Sequence, residues 1–450
     1  MSNIKAFKAY DIRGVWNKDF DAETVYRIGF FLPKLLRAEN ILIGRDCRLS
    51  SYELFTALSK GITDAGANVS DAGYTTTPLI YWATARFGFP ASVMITASHN
   101  PKDHNGLKVS AADALPVGYD TGLADLEQMV LNDNIQISED KGLVHPIEIL
   151  KPYRQFLTTY APDEHNLRIG VDCSNGMASL LIKELLGDEP FYINDKADGT
   201  FPGHEPNPLD PENQKQIKKL VIENQCDVGL IFDGDADRVM FIDEYGQFVS
   251  PDLIIALLGH YFFEEKGQKG KVLQDIRSSR AIAEYLSQFG AEVETWRVGR
   301  AYGALKLRQI DGLFGGELAG HYYFRDFYYS DSGLMAALIV LKLMDRFKKQ
   351  GKTLSNLISG ISDYHNSGEI NFRLIEKQAA MDAVKDHFYA NQTPVSFMDF
   401  DGYRLDFEDY WFNIRPSNTE PYLRFLAEAR SKQKLEELVR TVREIAGRFS

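Results

Sequence analysis

The sequence predicts an α/β protein of three similar domains with mixed or parallel sheets, followed by a smaller α+β domain at the C-terminus. Two observations predict this fold class. The chain has 450 residues, and domains average roughly 150 residues, so several are expected. Short apolar runs and amphipathic stretches recur three times in the order strand, helix, strand, helix, strand, before a final segment made mostly of strands. Alternating strands and helices favour parallel pairing with right-handed crossovers.

The three repeats lie at 41–97, 168–232 and 271–318. Their strands are predicted at 41–44, 68–70 and 91–96, then at 169–171, 190–193 and 228–232, and finally at 272–273, 291–296 and 313–315. Their helices are predicted at 51–65, 78–87, 178–186, 213–224, 280–289 and 301–309. The tail contains strands at 369–374, 395–397, 403–407, 411–414 and 423–427, with helices at 377–389 and 432–448. The domains are therefore predicted at 1–150, 151–250, 251–365 and 366–450.

Composition excludes several functional classes. Lysine and arginine number 50 against 63 aspartates and glutamates, a net charge of −13, which disfavours nucleic acid or an anionic membrane as a partner. The three cysteines show no C-x-x-C spacing, and the first residues lack the apolar stretch of a signal peptide. These features predict a reduced, cytoplasmic setting without a zinc site.

The most distinctive residues follow the third strand of each repeat, where ligands of open α/β sheets commonly bind. In the first repeat this segment reads T-A-S-H-N-P (96–101), with Lys108 shortly after it. It is either a polar turn in which Ser98 caps a helix, or a nucleophilic or phosphorylated serine whose phosphate is bound by His99 and Lys108.

In the second repeat the segment is D-G-D-A-D-R (233–238). The three carboxylates of Asp233, Asp235 and Asp237 repel one another unless a cation neutralises them, and oxygen ligands favour Mg²⁺ over zinc. A calcium EF-hand requires glycine where Arg238 stands, and helices rather than strands around the loop. A haloacid-dehalogenase-type phosphatase would use Asp233 as nucleophile and would normally have threonine or valine in place of Asp237. A solvated acidic turn is the third alternative. Mg²⁺ binding is the preferred interpretation.

The third repeat ends in G-G-E-L-A-G-H (315–321). Glycines allow a ligand to approach the backbone, and Glu317 can accept hydrogen bonds from vicinal sugar hydroxyls. In the tail, R-P-S-N-T-E-P (415–421) precedes Arg424. Two arginines, two hydroxyls and turn amides together favour a phosphate site, whereas a plain hairpin would not require both arginines.

Five motifs in this order, Y-D-I-R-G (10–14), T-A-S-H-N-P, D-G-D-A-D-R, G-E-L-A-G-H and R-P-S-N-T-E-P, resemble those of the α-D-phosphohexomutase family. The nearest branch is that of phosphomannomutase/phosphoglucomutase, and the resemblance covers the whole chain. It implies four domains around a central cleft. It also implies interconversion of hexose 1-phosphate and hexose 6-phosphate, of mannose, glucose or both, through a phosphoserine enzyme and a hexose 1,6-bisphosphate that also serves as activator.

The resemblance assigns expected roles to single residues. Ser98 would carry the phosphoryl group and, with the three aspartates, would hold Mg²⁺. Proton transfer and charge stabilisation near the serine are expected of Arg13, His99, Lys108, Arg238 and His321. Sugar binding is expected of Glu317 and Arg300, and the non-reacting phosphate would be bound by Arg415, Ser417, Asn418, Thr419 and Arg424.

Three positions depart from the family pattern. Leu318 and Ala319 replace the middle residues of the usual G-E-M-S-G-H, and Arg300 replaces the histidine of V-G-H. The preferred hexose therefore stays open. Phosphoglucosamine mutases typically carry glutamine in the sugar loop, so Leu318 weighs against that activity. A metal-dependent sugar phosphatase and a non-catalytic sugar-phosphate sensor are further alternatives, and the oligomeric state does not follow from the sequence.

Overall fold

The computed structural model of the chain describes residues 4–162, 166–417 and 422–449. Four β-sheets follow one another along this chain, and helices cover the first three. The predicted α/β class with a smaller α+β segment at the C-terminus is confirmed.

The first sheet has six strands in the order β1-β5-β4-β2-β3-β6. These strands are β1 (Ile12–Val15), β2 (Asn40–Arg45), β3 (Asn68–Tyr74), β4 (Ala91–Ile95), β5 (His104–Ala111) and β6 (Val144–Pro146). The accompanying helices are α1 (Ala22–Leu36), α2 (Ser51–Asp64), α3 (Thr77–Phe87), α4 (Leu123–Asn132) and α5 (Leu150–Thr158). Thr76 is the N-cap of α3, because its side chain accepts a hydrogen bond from the Leu79 N–H, as threonine commonly does before the first residue of a helix.

The second sheet has five strands in the order β11-β10-β9-β7-β8. Its strands are β7 (Ile169–Asp172), β8 (Phe191–Ile193), β9 (Val228–Phe232), β10 (Val239–Asp243) and β11 (Phe248–Val249). Its helices are α6 (Ile182–Leu186) and α7 (Lys215–Glu223). The single helix predicted at 178–186 is wrong in its first half, which forms a 3₁₀ turn over Met177–Leu180. The Met177 N–H donates to the Gly234 carbonyl, which ties this turn to the next loop.

The third sheet has four strands in the order β13-β12-β14-β15. These are β12 (Lys271–Asp275), β13 (Glu292–Trp296), β14 (Phe314–Gly316) and β15 (Tyr322–Phe324). Its helices are α8 (Pro251–Gly259), α9 (Ala281–Leu286), α10 (Arg300–Gln309), α11 (Gly333–Lys348) and α12 (Leu354–Ile361).

The fourth sheet is antiparallel and packs against two helices. Its strands are β16 (His365–Asn366), β17 (Ile370–Arg373), β18 (Ser396–Met398), β19 (Tyr403–Asp406), β20 (Tyr410–Pro416) and β21 (Tyr422–Ala429). The helices are α13 (Lys377–Asn391) and α14 (Lys432–Ala446).

The first three sheets share one topology. In each, the three strands of the predicted repeat pair in parallel, and a fourth strand returns antiparallel beside the third, as in β5-β4-β2-β3, β10-β9-β7-β8 and β15-β14-β12-β13. Sequence analysis did not identify β5, β10 or β15. The connections before them are too short for a parallel crossover, which needs a dozen or more residues, so each forms a hairpin.

One large apolar core joins the first three sheets, whereas the C-terminal sheet has a separate core. Helix α11 lies inside the large core, with side chains such as Leu334, Leu338 and Leu341 fully buried. The tail is attached to the third sheet mainly by polar contacts, in which the buried guanidinium of Arg404 donates to the carbonyls of Ile276 and Ser278 at 2.9 and 2.7 Å. Within the described ranges, no helix has the length and apolar character needed to cross a membrane.

Candidate active site

All four segments singled out by the sequence are hairpin connections. Residues 96–103 join β4 to β5, 233–238 join β9 to β10, 317–321 join β14 to β15, and 417–421 join β20 to β21. The first three follow the carboxyl ends of parallel strands, the edge at which ligands of α/β sheets bind. Contacts between these loops bring the first three domains together at one place.

Ser98 is buried, with 1% of its surface exposed, and has a left-handed backbone with φ of 51°. Its hydroxyl donates to Asp233 Oδ2 at 2.9 Å and lies 3.3 Å from His99 Nδ1. A left-handed conformation costs a non-glycine residue about 1–2 kcal/mol. Arg48 holds it in place, because its Nη2 donates to the Ser98 carbonyl at 2.8 Å.

The carboxylates of Asp233, Asp235 and Asp237 are fully buried, and ligand oxygens from the three lie within 4.8 Å of one another. Burial, together with the charges of Asp237 and Asp235, raises the pKa of Asp233 well above its usual value. Oδ1 of Asp235 and Oδ1 of Asp237 are buried and make no hydrogen bond within the described residues. Buried carboxylate oxygens that lie this close together and lack a hydrogen-bond donor fit a hard dication such as Mg²⁺.

Lys108, on β5, donates to Oδ2 of Asp235 and Oδ2 of Asp237, both at 2.6 Å. Burial alone would lower the pKa of Lys108, but the charges of Asp235 and Asp237 outweigh burial and raise it. Lys108 is therefore a cation that neutralises part of the acidic cluster.

Two more groups of the first domain lie beside the serine. Arg13 donates to Asn100 Oδ1 at 3.0 Å and forms an ion pair with Asp11. Burial, followed by the charges of Arg238 and Arg13, lowers the pKa of His99 well below 6.5. A lowered pKa favours the neutral His99 imidazole.

A chain of polar contacts crosses from the second domain to the third. Arg238 Nε donates to His321 Nε2 at 3.0 Å, so His321 carries its proton on Nδ1, which lies 2.6 Å from Asp331 Oδ2. Arg300 Nε donates to Asp331 Oδ1 at 3.1 Å, and the Arg300 guanidinium lies 3.6 Å from the centre of the Tyr81 ring. Although burial opposes it, hydrogen bonding from His321 and the charge of Arg300 lower the pKa of Asp331 to about 2.

Glu317 is buried with 3% exposed and accepts a hydrogen bond from the Tyr323 hydroxyl at 2.5 Å. Burial raises the pKa of Glu317. The next residue, Leu318, donates its backbone N–H to Asp275 Oδ2 at 2.8 Å, and the same carboxylate pairs with Arg277 at 2.7 Å. Tyr323 therefore orients the Glu317 carboxylate, and Asp275 fixes the loop backbone at the next residue.

Arg415 and Arg424 are cross-strand partners in the β20–β21 hairpin. Like charges directly opposite one another are unfavourable unless an anion or acidic side chains compensate them. Burial, and then the charge of Arg277, lowers the pKa of Arg415. Arg424 lies 3.2 Å from Glu369. Ser417 is buried, whereas Asn418 and Thr419 lie outside the described residues.

Tyr10 connects the first domain with this region. Its hydroxyl donates to the Val298 carbonyl at 3.3 Å, and burial, together with the charges of Asp401 and other nearby groups that include Glu317, raises its pKa to about 12. The ring packs against Gly299, whose φ of 124° favours glycine and where an added Cβ would lie only 2.8 Å from the ring.

The structure thus brings the predicted serine, the three aspartates and the basic residues into contact, with Glu317 and Arg300 joined to them through His321, Asp331 and Tyr323. Sequence analysis missed several residues that hold this arrangement. Tyr10 lies in the Y-D-I-R-G motif, but no role was assigned to it, and the other residues had no local signal. The missed residues are Tyr10, Arg48, Thr77, Asp275, Arg277 and Asp331.

Comparison with known proteins gives a consistent result along the whole chain. Sequence models of the phosphoglucomutase/phosphomannomutase family match in four parts. They are alpha/beta/alpha domain I at residues 4–134, domain II at 151–246, domain III at 250–364 and the C-terminal domain at 369–445.

The chain is also similar to individual proteins over nearly its full length. A phosphomannomutase of Vibrio cholerae is 34% identical, with 99% of this chain and 100% of the relative covered. A phosphomannomutase of Escherichia coli K12 is 35% identical, with 97% of each covered. The crystal structure of a phosphoglucomutase/phosphomannomutase family protein from Burkholderia thailandensis superimposes with a TM-score of 0.89 at 27% identity, covering 99% of this chain and 98% of that one.

Proposed function

Because the chain belongs to the phosphoglucomutase/phosphomannomutase family, we propose that it interconverts the 1-phosphate and 6-phosphate of a hexose, mannose or glucose or both. The observation that carries this proposal is the Ser98 hydroxyl, 2.9 Å from Asp233 in a buried cluster of three carboxylates. A phosphatase of the aspartate-nucleophile type would not require a buried serine at this position.

Ser98 is the group that gives up and recovers the phosphoryl group. With Asp233, Asp235 and Asp237 it would hold Mg²⁺, which when bound neutralises charge on the phosphoryl oxygens. The Oδ1 atoms of Asp235 and Asp237, which accept no hydrogen bond within the described residues, support this ligand set. Lys108 and Arg238 supply positive charge beside the serine, and catalysis of phosphoryl transfer depends mainly on such positioning and charge.

Proton transfer to and from the sugar oxygen is assigned to Arg13, Lys108 and His321. Of these, His321 has the most defined geometry, because Asp331 and Arg238 fix its tautomer and ring orientation. His99 lies 3.3 Å from the Ser98 hydroxyl and positions it, and its lowered pKa favours the neutral imidazole.

The sugar hydroxyls are bound by Glu317, with Arg300 nearby. The phosphate that is not reacting is bound by the tail, where Arg415 and Arg424 face one another. Arg277, close enough to lower the pKa of Arg415, adds a third cation. Asn418 and Thr419 complete the set in the proposal. A hexose 1,6-bisphosphate forms between the two transfers and must turn before the second transfer. The same bisphosphate, added in a small amount, activates the enzyme because it phosphorylates Ser98.

The experiment that tests this proposal is a panel of mannose, glucose and glucosamine 1-phosphates with Mg²⁺ and bisphosphate activator. Formation of 6-phosphate and of inorganic phosphate is measured in parallel. The proposal expects 6-phosphate from mannose or glucose and little inorganic phosphate. Inorganic phosphate as main product would indicate a phosphatase, and activity confined to glucosamine would indicate a phosphoglucosamine mutase.

The domain limits expected from the sequence and the cytoplasmic location stay predictions.

A further inference from the structure

We propose that Thr77, in the first domain, is a positioning residue for Asp235, and that it determines which carboxylate oxygen of Asp235 faces the metal ion. The inference rests on the proposed function in one respect, that the three aspartates bind a divalent cation.

Thr77 contacts Asp235 twice across the boundary between the first and second domains. Its Oγ1 donates to Asp235 Oδ2 at 2.5 Å, and its backbone N–H donates to the Asp235 carbonyl at 3.1 Å. Thr77 is fully buried. One residue therefore fixes both the backbone and the side chain of Asp235.

The consequence for ligation follows from the partners of the two carboxylate oxygens. Oδ2 of Asp235 accepts hydrogen bonds from Thr77 and also from Lys108 Nζ at 2.6 Å. Oδ1 is buried and makes no hydrogen bond within the described residues. With Oδ2 engaged by two donors, Oδ1 is the oxygen presented to a cation. Hydrogen bonds of this kind orient metal ligands and strengthen binding.

The local structure leaves the Thr77 hydroxyl available for this role. Thr77 is the first residue of α3, and the capping bond of that helix is made by Thr76, whose Oγ1 accepts from the Leu79 N–H at 3.2 Å. Pro78 follows in the first turn, and Tyr81 and Trp82 are buried. The helix is anchored in the shared core, so Thr77 is a rigid support for a loop of the next domain.

The same helix offers a matched control. Thr84 is also fully buried, but its hydroxyl donates to the Ile80 carbonyl and contacts Ser92 Oγ, both at 2.6 Å. Thr84→Val removes a buried hydroxyl from α3 without touching the aspartates, so it reports the structural cost of such a change alone.

The test measures Mn²⁺ binding to the full chain by calorimetry and by electron paramagnetic resonance, for wild type, Thr77→Val, Thr77→Ser and Thr84→Val. Substitution of groups that orient metal ligands typically weakens metal binding by about 10–100-fold. We expect at least about a tenfold loss for Thr77→Val, recovery to within about threefold of wild type for Thr77→Ser, and wild-type binding for Thr84→Val. Thermal unfolding without metal checks that the two valine variants are folded, and Thr77→Ala provides a second variant without the hydroxyl.

Three results would overturn the inference. Binding by Thr77→Val or Thr77→Ala within about twofold of wild type would show that the hydroxyl does not orient Asp235. An equal loss in Thr84→Val would show a general effect of altering α3. If the wild-type chain bound no Mn²⁺, the proposed metal site would be wrong and this inference with it. Failure of Thr77 alone, with normal wild-type binding, leaves the proposed function intact.

Discussion

Replacement of Arg48 by methionine should destabilise the loop that carries Ser98. The Arg48 guanidinium is buried, with 2% of the residue exposed, and donates to four backbone carbonyls in or beside this loop. The carbonyls are those of Ser98, Asn100, Pro101 and His104, at 2.8, 2.7, 2.6 and 3.1 Å. Arg48 also donates to Asp46 at 3.1 Å and lies 5.0 Å from the centre of the Phe201 ring in the second domain.

The expected loss can be derived from these contacts. A buried group left without its hydrogen-bond partner costs about 1–3 kcal/mol, and the Ser98 carbonyl bears this cost in full. The carbonyls of Asn100, Pro101 and His104 are only partly buried, and that of Pro101 keeps a hydrogen bond from the His104 N–H. The expected loss in the free energy of unfolding is therefore about 2–3 kcal/mol. Asp46 adds less, because burial already raises its pKa and the carboxyl can take up a proton. Methionine keeps much of the volume of the side chain, so a cavity contributes little. Ser98 would also lose the contact that stabilises its left-handed backbone, and activity should fall by at least about tenfold.

Urea unfolding at equilibrium and turnover assays measure the two effects. Arg86→Met is the control, because Arg86 is an exposed residue in the last turn of α3, and a surface substitution typically changes stability by less than about 0.5 kcal/mol. A decrease of less than about 1 kcal/mol in the free energy of unfolding of Arg48→Met would refute this explanation. So would normal turnover in a destabilised variant, since it would mean that the serine loop does not depend on Arg48.

Three further predictions concern packing, the tail and pH. Gly234→Ala should reduce stability and turnover, because an added Cβ would lie 2.6 Å from the Ser98 carbonyl oxygen. Gly360→Ala in α12 is the control, because Gly360 has open space around it, and this variant should be as stable as wild type or more stable in thermal unfolding. Arg415→Ala should weaken binding of both the 1-phosphate and the 6-phosphate by about ten- to a hundredfold, because a charge-assisted contact is lost. It should also release labelled bisphosphate during turnover. Weaker binding of only one isomer, with normal release, would contradict a site that serves both orientations. Although burial opposes it, hydrogen bonding to Asp172 raises the pKa of His204 above 6.5. The pair therefore stabilises the fold fully below about pH 6.5 and less as pH rises through the raised pKa. We expect His204→Gln to melt at a lower temperature than wild type at low pH, and the difference in melting temperature to shrink as pH rises through the raised pKa. Melting curves between roughly pH 5 and 9 measure this difference. A difference that stays constant with pH would exclude the charged pair.

Local sequence patterns were sufficient to predict the three repeats and the loops that carry the candidate site residues. The apolar runs that became β2, β4 and β9, and the turns after them, can be recognised because strand periodicity and glycine-rich loops are local features. The fourth strand of each repeat was missed for a different reason. β15 has only three residues, and all three of these strands, including the longer β5 and β10, begin directly after a loop that carries candidate site residues. Loop and strand therefore read as one irregular segment.

The supporting residues of the site could not be predicted from local patterns. Arg48, Thr77 and Asp331 have ordinary neighbours in the sequence, and their partners lie far along the chain: Thr77 contacts Asp235, and Arg48 contacts the Ser98 carbonyl. The charge state of His99 also depends on burial and on Arg238 from another domain. Such contacts form only in the folded chain, and those of Thr77 and His99 also need the second domain to be packed against the first.

Ser98 as the phosphoryl carrier is the central element of the proposed mechanism. Dephosphorylated enzyme is incubated with glucose 1,6-bisphosphate carrying labelled phosphate and Mg²⁺, and the modified peptide is identified by mass spectrometry, with Ser98→Ala as control. We expect label on Ser98 alone, its transfer to the sugar when unlabelled hexose 1-phosphate is added, and neither labelling nor isomerisation in Ser98→Ala. Label on an aspartate of the 233–237 loop, or near-normal isomerisation by Ser98→Ala, would contradict this mechanism.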